Sequence, residues 1–147
     1  MPQNSDARTP VGDPAVRLAV AVGRINRRIR PTGDGLSHGL MSALSTIVRQ
    51  GPIRPSELAR IEAVAAPTAT RAVADLESRG LIERSPDPED GRSSLLAATD
   101  DGVTAVMHAR LERAERVAAL LETLTDQQRA AIWDALEALE AAAGVRH

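Results

Sequence analysis

Pro67-Thr68-Ala69-Thr70-Arg71-Ala72-Val73-Ala74-Asp75-Leu76-Glu77-Ser78-Arg79-Gly80 is the stretch whose reading decides the fold. Proline suits a first helical position, where no N–H is needed and its fixed φ is already helical, and glycine suits the left-handed position just past a helix end. The spacing predicts a helix over 67–79. Val73 and Leu76 lie on one face of it with Ala69, Ala72 and Ala66, whereas Thr68, Thr70, Arg71 and Asp75 point largely elsewhere. An aliphatic face is therefore buried, and the polar face at the N-terminal end is free.

Reading outward, Arg54-Pro55-Ser56-Glu57-Leu58-Ala59-Arg60-Ile61 predicts a shorter helix and Ala63–Ala66 a turn. After Gly80 come a strand, Leu81-Ile82-Glu83-Arg84, a tight tip, Pro86-Asp87-Pro88-Glu89-Asp90-Gly91-Arg92, and a returning strand, Ser94–Thr99. Short helix, turn, longer helix and hairpin in that order predict a winged helix-turn-helix whose second helix enters a major groove by its N-terminal end. The fold class expected is mainly α with a small β-hairpin wing. Arg71 has the side chain best shaped to clasp a guanine edge with two hydrogen bonds, and a solvated helix arginine is the alternative. Pro86, Pro88 and Gly91 force a compact tip that holds Arg92 outward, over a neighbouring minor groove. Asp90 is its expected orienting partner, and a local Asp90–Arg92 ion pair with no DNA role is the other reading.

Ser56-Glu57-Leu58-Ala59, Pro67-Thr68-Ala69-Thr70-Arg71, Leu76 to Arg84 and Asp87-Pro88-Glu89-Asp90-Gly91-Arg92 together resemble the MarR family of bacterial transcription regulators. The resemblance runs from about Asp13 to Gly144. It implies a homodimeric, sequence-specific DNA-binding regulator, a repressor on an inverted-repeat operator. DNA would be contacted by Ser56, Pro67, Thr68, Thr70, Arg71, Asp90 and Arg92. It also implies a small effector, often an anionic aromatic compound, bound between the dimerisation helices and the winged unit; Arg27 and Arg28 are the candidate anion contacts, with a solvated or cross-subunit role as the alternative. Two departures stand out. Ala65 and Ala66 occupy the place where such proteins often have a capping Ser or Thr, so about 1 kcal/mol of capping is absent. Glu62-Ala63-Val64 forms the turn where many relatives have a glycine.

The remainder of the 147 residues fits one domain, 13–147, behind a disordered polar tail over 1–12. Asp13-Pro14 caps a first helix with Leu18, Val22, Ile25 and Ile29 on one seam and Arg17, Arg24, Arg27 and Arg28 opposite, ended by Pro31. Thr32-Gly33-Asp34-Gly35 is a turn. A second helix runs from Leu36 to Gly51-Pro52 and buries Leu40, Leu44, Ile47 and Val48. Thr99-Asp100-Asp101 caps a long helix with an apolar stripe from Val103 to Leu124, and a capping box at Thr125-Asp126-Gln127-Gln128 starts a last one bearing Ile132, Leu136, Leu139 and Ala143. These terminal helices, 100–147 with part of 13–30, are the expected dimerisation surface, since seams outside the winged unit are best buried by a second copy.

Charge is unevenly placed. All eighteen basic residues are arginine. Residues 1–51 hold seven of them against three acids, 52–93 six against eight, and 94–147 five against nine. A winged unit that is net acidic keeps a second reading open, a winged-helix protein-interaction module without specific DNA binding. Enzyme readings find little support. There is no Cys, Lys or Tyr, no phosphate loop and no metal-ligand spacing, and His38, His108 and His147 stand apart; no cofactor or metal is expected. With neither a membrane-length apolar run nor a signal-like start, a cytoplasmic protein is expected.

Overall fold

The computed structural model describes residues 12–30 and 35–145. In chain order its elements are α1 (Pro14–Arg28), α2 (His38–Gln50), α3 (Pro55–Ile61), α4 (Ala66–Ser78), β1 (Ile82–Pro86), β2 (Ser94–Ala98), α5 (Asp100–Glu122), α6 (Asp126–Asp134) and α7 (Leu136–Ala142). The architecture is mainly helical with one antiparallel hairpin, as expected. The tail over 1–12 falls, except for Gly12, outside the described residues, as do Pro31, most of the 32–35 turn and His147. Two compact units divide the chain, Pro31–Glu112 and Met1–Arg30 with Arg113–His147.

The first unit holds the winged helix-turn-helix. Its core is wholly aliphatic: Ala43, Leu44 and Ile47 of α2, Leu58 of α3, Val73 and Leu76 of α4, Ile82 of β1, Leu96 of β2 and Val106 of α5, with Ile53. Every helix and strand of the unit thus sends side chains into one cluster, and burial of that area is what holds the unit together. The wing pairs Ile82 with Ala98 through Pro86 with Ser94. β1 therefore extends past Arg84 through Ser85 and Pro86, further than the sequence spacing suggests, because a two-stranded sheet leaves Pro86 an edge position that needs no N–H donor. Ile53 adds a short bridge to Leu96, its N–H donating at 3.1 Å and its carbonyl accepting at 2.8 Å.

Helix ends follow their capping chemistry. α2 starts two residues later than expected because Ser37 caps it, its hydroxyl accepting the Leu40 N–H at 3.3 Å. α4 starts at Ala66, placing Pro67 second and not first, and Ala65 supplies no side-chain cap. Ala66 itself is exposed at that first position and takes no part in the buried face, contrary to expectation, while Ala69, Val73 and Leu76 are buried.

Two helices of the unit end in the same closing motif. After α4, Gly80 N–H donates to the Glu77 carbonyl at 2.9 Å and Leu81 N–H to Leu76 at 3.0 Å, with Gly80 at φ 69°. After α3, Ala63 N–H donates to Arg60 at 3.3 Å and Val64 N–H to Ala59 at 3.0 Å, with Ala63 at φ 53°. This left-handed position is cheap for glycine and costs a residue with a Cβ about 1–2 kcal/mol. The helix-turn-helix corner is therefore strained where the glycine is missing. Ala63→Gly should stabilise the protein by about 0.5–1 kcal/mol, the strain relief being partly offset by glycine's greater freedom when unfolded. A rise in the urea midpoint checks this; a fall would mean the corner holds Ala63 without strain.

The second unit contains α1, α6, α7 and the end of α5. Asp13 caps α1, accepting the Ala15 N–H at 2.7 Å. The capping box at Thr125 is formed in both directions, with Thr125 N–H on Gln128 Oε1 at 3.0 Å and Gln128 N–H on Thr125 Oγ1 at 3.2 Å. The last helix is interrupted once, at Ala135, where one N–H is shared between the Ala131 and Ile132 carbonyls. No residue of α1, α6 or α7 is fully buried. Leu18, Val22 and Ile25 on α1 and Trp133, Leu136 and Leu139 on the last two helices are large apolar side chains that stay exposed.

Candidate nucleic-acid interface

The structure sorts the six arginines of residues 52–93 into two classes. Arg54 pairs with Asp87 at 2.5 Å and approaches Glu89 at 3.6 Å. Arg60 lies 3.9 Å from Glu57, Arg79 pairs with Asp75 at 2.7 Å, and Arg84 pairs with Glu77 at 2.9 Å. Among the described residues, Arg71 and Arg92 take part in no ion pair. The acids that make this segment net negative are thus largely engaged by the other four arginines. Its two unneutralised guanidinium groups stand on the face of α4 and at the wing tip, where DNA contact was expected.

Thr68, Thr70 and Arg71 are all exposed on the first turns of α4, with Pro67 beside them and Ser56 exposed on α3. Thr70 differs from expectation in one respect. Its hydroxyl already donates to the Ala66 carbonyl at 2.9 Å, so toward a base or phosphate it offers only its methyl group and acceptor lone pairs. Arg71 also edges a groove of about 340 Å³ bounded by α2, α3 and α4, with Leu40, Ala43, Leu58, Val64 and Ala72 as its apolar lining and Glu62 and Asp75 as its acids.

Wing geometry corrects the role given to Asp90. Its carboxylate accepts the Arg92 backbone N–H at 3.0 Å, and its carbonyl accepts the Ser93 N–H at 2.9 Å. Asp90 shapes the turn and leaves the Arg92 side chain alone, so neither the orienting pair nor the local ion pair forms. The reason is span: in a turn this tight, the carboxylate of a residue two positions earlier is closest to the main-chain amide.

Asp87, which the sequence placed in the tip without a role of its own, is the buried acid of the wing, 5% exposed. Oδ2 accepts from Arg54 Nε at 2.5 Å and Oδ1 from the Glu89 N–H at 2.9 Å. The Arg54 hydrogen bond, then the Glu89 amide, hold its carboxyl below the ordinary carboxylate range against the opposing effect of burial. The same bond raises the Arg54 guanidinium further. The pair is ionised throughout the neutral range. Sequence separation hid it, since the two residues are 33 positions apart and their segments are joined by the Ile53–Leu96 bridge.

Arg27 and Arg28 are exposed in the last turn of α1. His38 and His108 are exposed on α2 and α5. Among the described residues no helix is long and apolar enough to cross a membrane.

Comparison with known proteins agrees with this geometry. Residues 36–94 match the model of the MarR family. The chain is 37% identical over 128 residues to the HTH-type transcriptional regulator MT0903.1 of Mycobacterium tuberculosis, covering 86% of each chain. Among solved structures it resembles the transcriptional regulator Tm0710 from Thermotoga maritima, with 26% identity, 86% and 90% of the two chains covered and a TM-score of 0.71. It also resembles a mutant of MarR from E. coli, with 25% identity, 86% and 96% covered and a TM-score of 0.68. A winged helix-turn-helix with outward arginines on its second helix and wing, matched along most of its length by named regulators, belongs to the MarR family of DNA-binding transcriptional regulators, which are not enzymes.

Proposed function

We propose that the protein is a cytoplasmic homodimeric repressor that sits on an inverted-repeat operator and is released by a small anionic ligand. Residues 52–99 are its DNA-reading part, and 100–147 with part of 13–30 its dimerisation helices. The observation that carries the DNA reading is the pairing-off of charge, which leaves Arg71 and Arg92 as the unneutralised cations of an otherwise acidic segment. Affinity then rests on a few placed arginines and on backbone N–H groups, and discrimination on Arg71. Arg71 reads a base edge from the major groove, with Thr68, Thr70, Pro67 and Ser56 around it. Arg92 lies over the flanking minor groove, its main chain set by Asp90.

Dimerisation is supported by the large apolar side chains left exposed on α1 and on α5 to α7, since clustered apolar surface marks an interaction face. In such a dimer the two copies of α4 meet successive major grooves about 10 base pairs apart. The groove of about 340 Å³ beside α4 supports release by a small ligand through its largely apolar lining, which carries Arg71 together with the carboxylates of Glu62 and Asp75. Arg27 and Arg28, exposed in the last turn of α1, are separate candidate contacts for an anion.

Selection of bound sequences from a random duplex pool tests the reading. A palindrome with half-sites one helical turn apart is the expected product. Arg71→Ala should then cost about 1–3 kcal/mol per half-site and relax preference at one base position. Equal weakening on every sequence would reassign Arg71 to a phosphate, and unchanged binding and preference would remove it from the interface. Failure to enrich any sequence would favour the protein-interaction alternative.

A further inference from the structure

The wing tip, residues 87–93, closes on itself. Asp87 N–H donates to the Ser93 carbonyl at 3.2 Å, Ser93 N–H to Asp90 at 2.9 Å, and Arg92 N–H to the Asp90 carboxylate at 3.0 Å. Beyond the β1–β2 ladder, the side-chain attachment of this tip to the rest of the unit, among the described residues, is Arg54, which reaches Asp87 and Glu89. Arg54 is in turn held at a fixed place. It immediately precedes α3, and its neighbour Ile53 is bonded in both directions to Leu96 of β2. A two-stranded hairpin alone is marginally stable and free to swing, so a charged bond from its tip to the helix-turn-helix changes what the tip can do.

We infer that Arg54 and Asp87 are positioning residues for the wing's DNA contact: their bond clamps the Arg92 tip to the start of α3, so that α4 and the wing meet DNA as one preorganised surface. This rests on the reading that Arg92 touches DNA. The burial of Asp87 at 5% exposure supports it, because a carboxylate out of water and bonded on both oxygens has one geometry to return to after any excursion. Clamping lowers the ordering cost of binding, since the wing is already where the minor groove will be.

Charge and position make opposite predictions for Asp87→Asn. On charge alone, deleting an acid close to the phosphates should tighten binding and leave the contribution of Arg92 intact. Under the clamp, Asp87→Asn loosens the tip and should weaken operator binding about tenfold, the amount a well-placed charged contact is worth. The test is a cycle of the parent, Asp87→Asn, Arg92→Ala and the double variant, titrated on one selected operator at several salt concentrations, with thermal unfolding as the control for folding. Arg92→Ala should weaken the parent, and in the Asp87→Asn background its further effect should shrink to about twofold or less, since contacts that act together are not additive. Asp87→Asn should also flatten the salt dependence by about one counterion per subunit although the protein has become more positive. Arg54→Gln, at a half-exposed position that folding tolerates better, should reproduce the coupling to Arg92. The inference is overturned if Asp87→Asn binds as tightly as the parent, or if Arg92→Ala costs the same in every background. An Arg92→Ala variant that matches the parent at every salt concentration would instead overturn the wing contact itself, and the clamp with it.

Discussion

Replacing Gly102 by alanine should destabilise the protein by about 2–3 kcal/mol, as expected when a methyl group is forced into a filled core. Gly102 is the third residue of α5 and is buried. A Cβ there would lie 2.0 Å from the Leu81 carbonyl oxygen, 3.0 Å from its carbon and 3.3 Å from a methyl of Leu44. The first two are backbone atoms, so no side-chain rotation relieves the overlap. Nor is the carbonyl free to retreat. It accepts the Thr99 N–H at 3.1 Å, and Thr99 Oγ1 in turn donates to the Gly80 carbonyl at 2.7 Å and accepts the Gly102 N–H at 3.1 Å. Moving α5 outward would break this knot and open a gap around Val106 and Leu44. Alanine's better helix propensity returns at most about 1 kcal/mol, which is too little to change the sign. Gly39→Ala in α2 is the control, because nothing lies within 4 Å of a Cβ there and the same propensity gain should appear unopposed. Urea midpoints of the two variants should move in opposite directions. An unchanged midpoint for Gly102→Ala would mean that α5 is not tightly seated on the end of α4.

That close approach also marks the limit of what the residues disclose unaided. Periodicity and punctuation located the helices of both units and the two strands, because each depends on neighbours within a turn or two: Asp13 before Pro14, Thr125 with Gln128, Gly80 just past the end of α4. Helix ends moved by one or two residues where a short side chain offered a cap, as Ser37 did for α2. Nothing in the residues next to Gly102 marks it as required. Its necessity comes from Leu81, twenty-one positions away across a crossing that only the packed unit defines.

The proposed interface divides in the same way. Exposure of Thr68, Thr70 and Arg71 followed from the apolar face of α4, and the outward placing of Arg92 from its turn residues. What remained hidden was which cations are neutralised. Net charge over 52–93 argued against a DNA surface, but net charge counts Arg54, Arg60, Arg79 and Arg84 and their acids as if all were free. Partner identity needs coordinates, and so did the role of Asp90, whose carboxylate met an amide where a guanidinium was expected.

A double variant, Leu18→Glu with Ile25→Glu, should abolish the dimer and lower operator affinity by a factor of about 10² or more. The two residues lie seven positions apart on one face of α1, with Val22 between them, and are 53% and 47% exposed in the single chain. Carboxylates at such sites should disturb folding of one chain by no more than about 0.5 kcal/mol, the usual range for surface substitutions. In a dimer that buries the α1 seam, they would instead place four charges without partners at an apolar interface, whose desolvation outweighs the contacts that remain. The effect on DNA follows from linkage. A half-site supplies only a few contacts, and joining two modules raises the effective concentration of the second far above that of free protein. The parent should therefore bind an intact inverted repeat much more tightly than a single half-site, while the double variant should bind both alike and weakly. Trp133, 55% exposed on α6 and the sole aromatic residue, reports from the C-terminal side. If that helix shares the interface, its emission should shift to the red as the parent is diluted and stand at the red-shifted value in the variant at every concentration. Sedimentation decides the matter: a double variant that still sediments as a tight dimer removes α1 from the interface, and one that turns monomeric yet keeps full preference for the intact repeat removes dimerisation from DNA recognition.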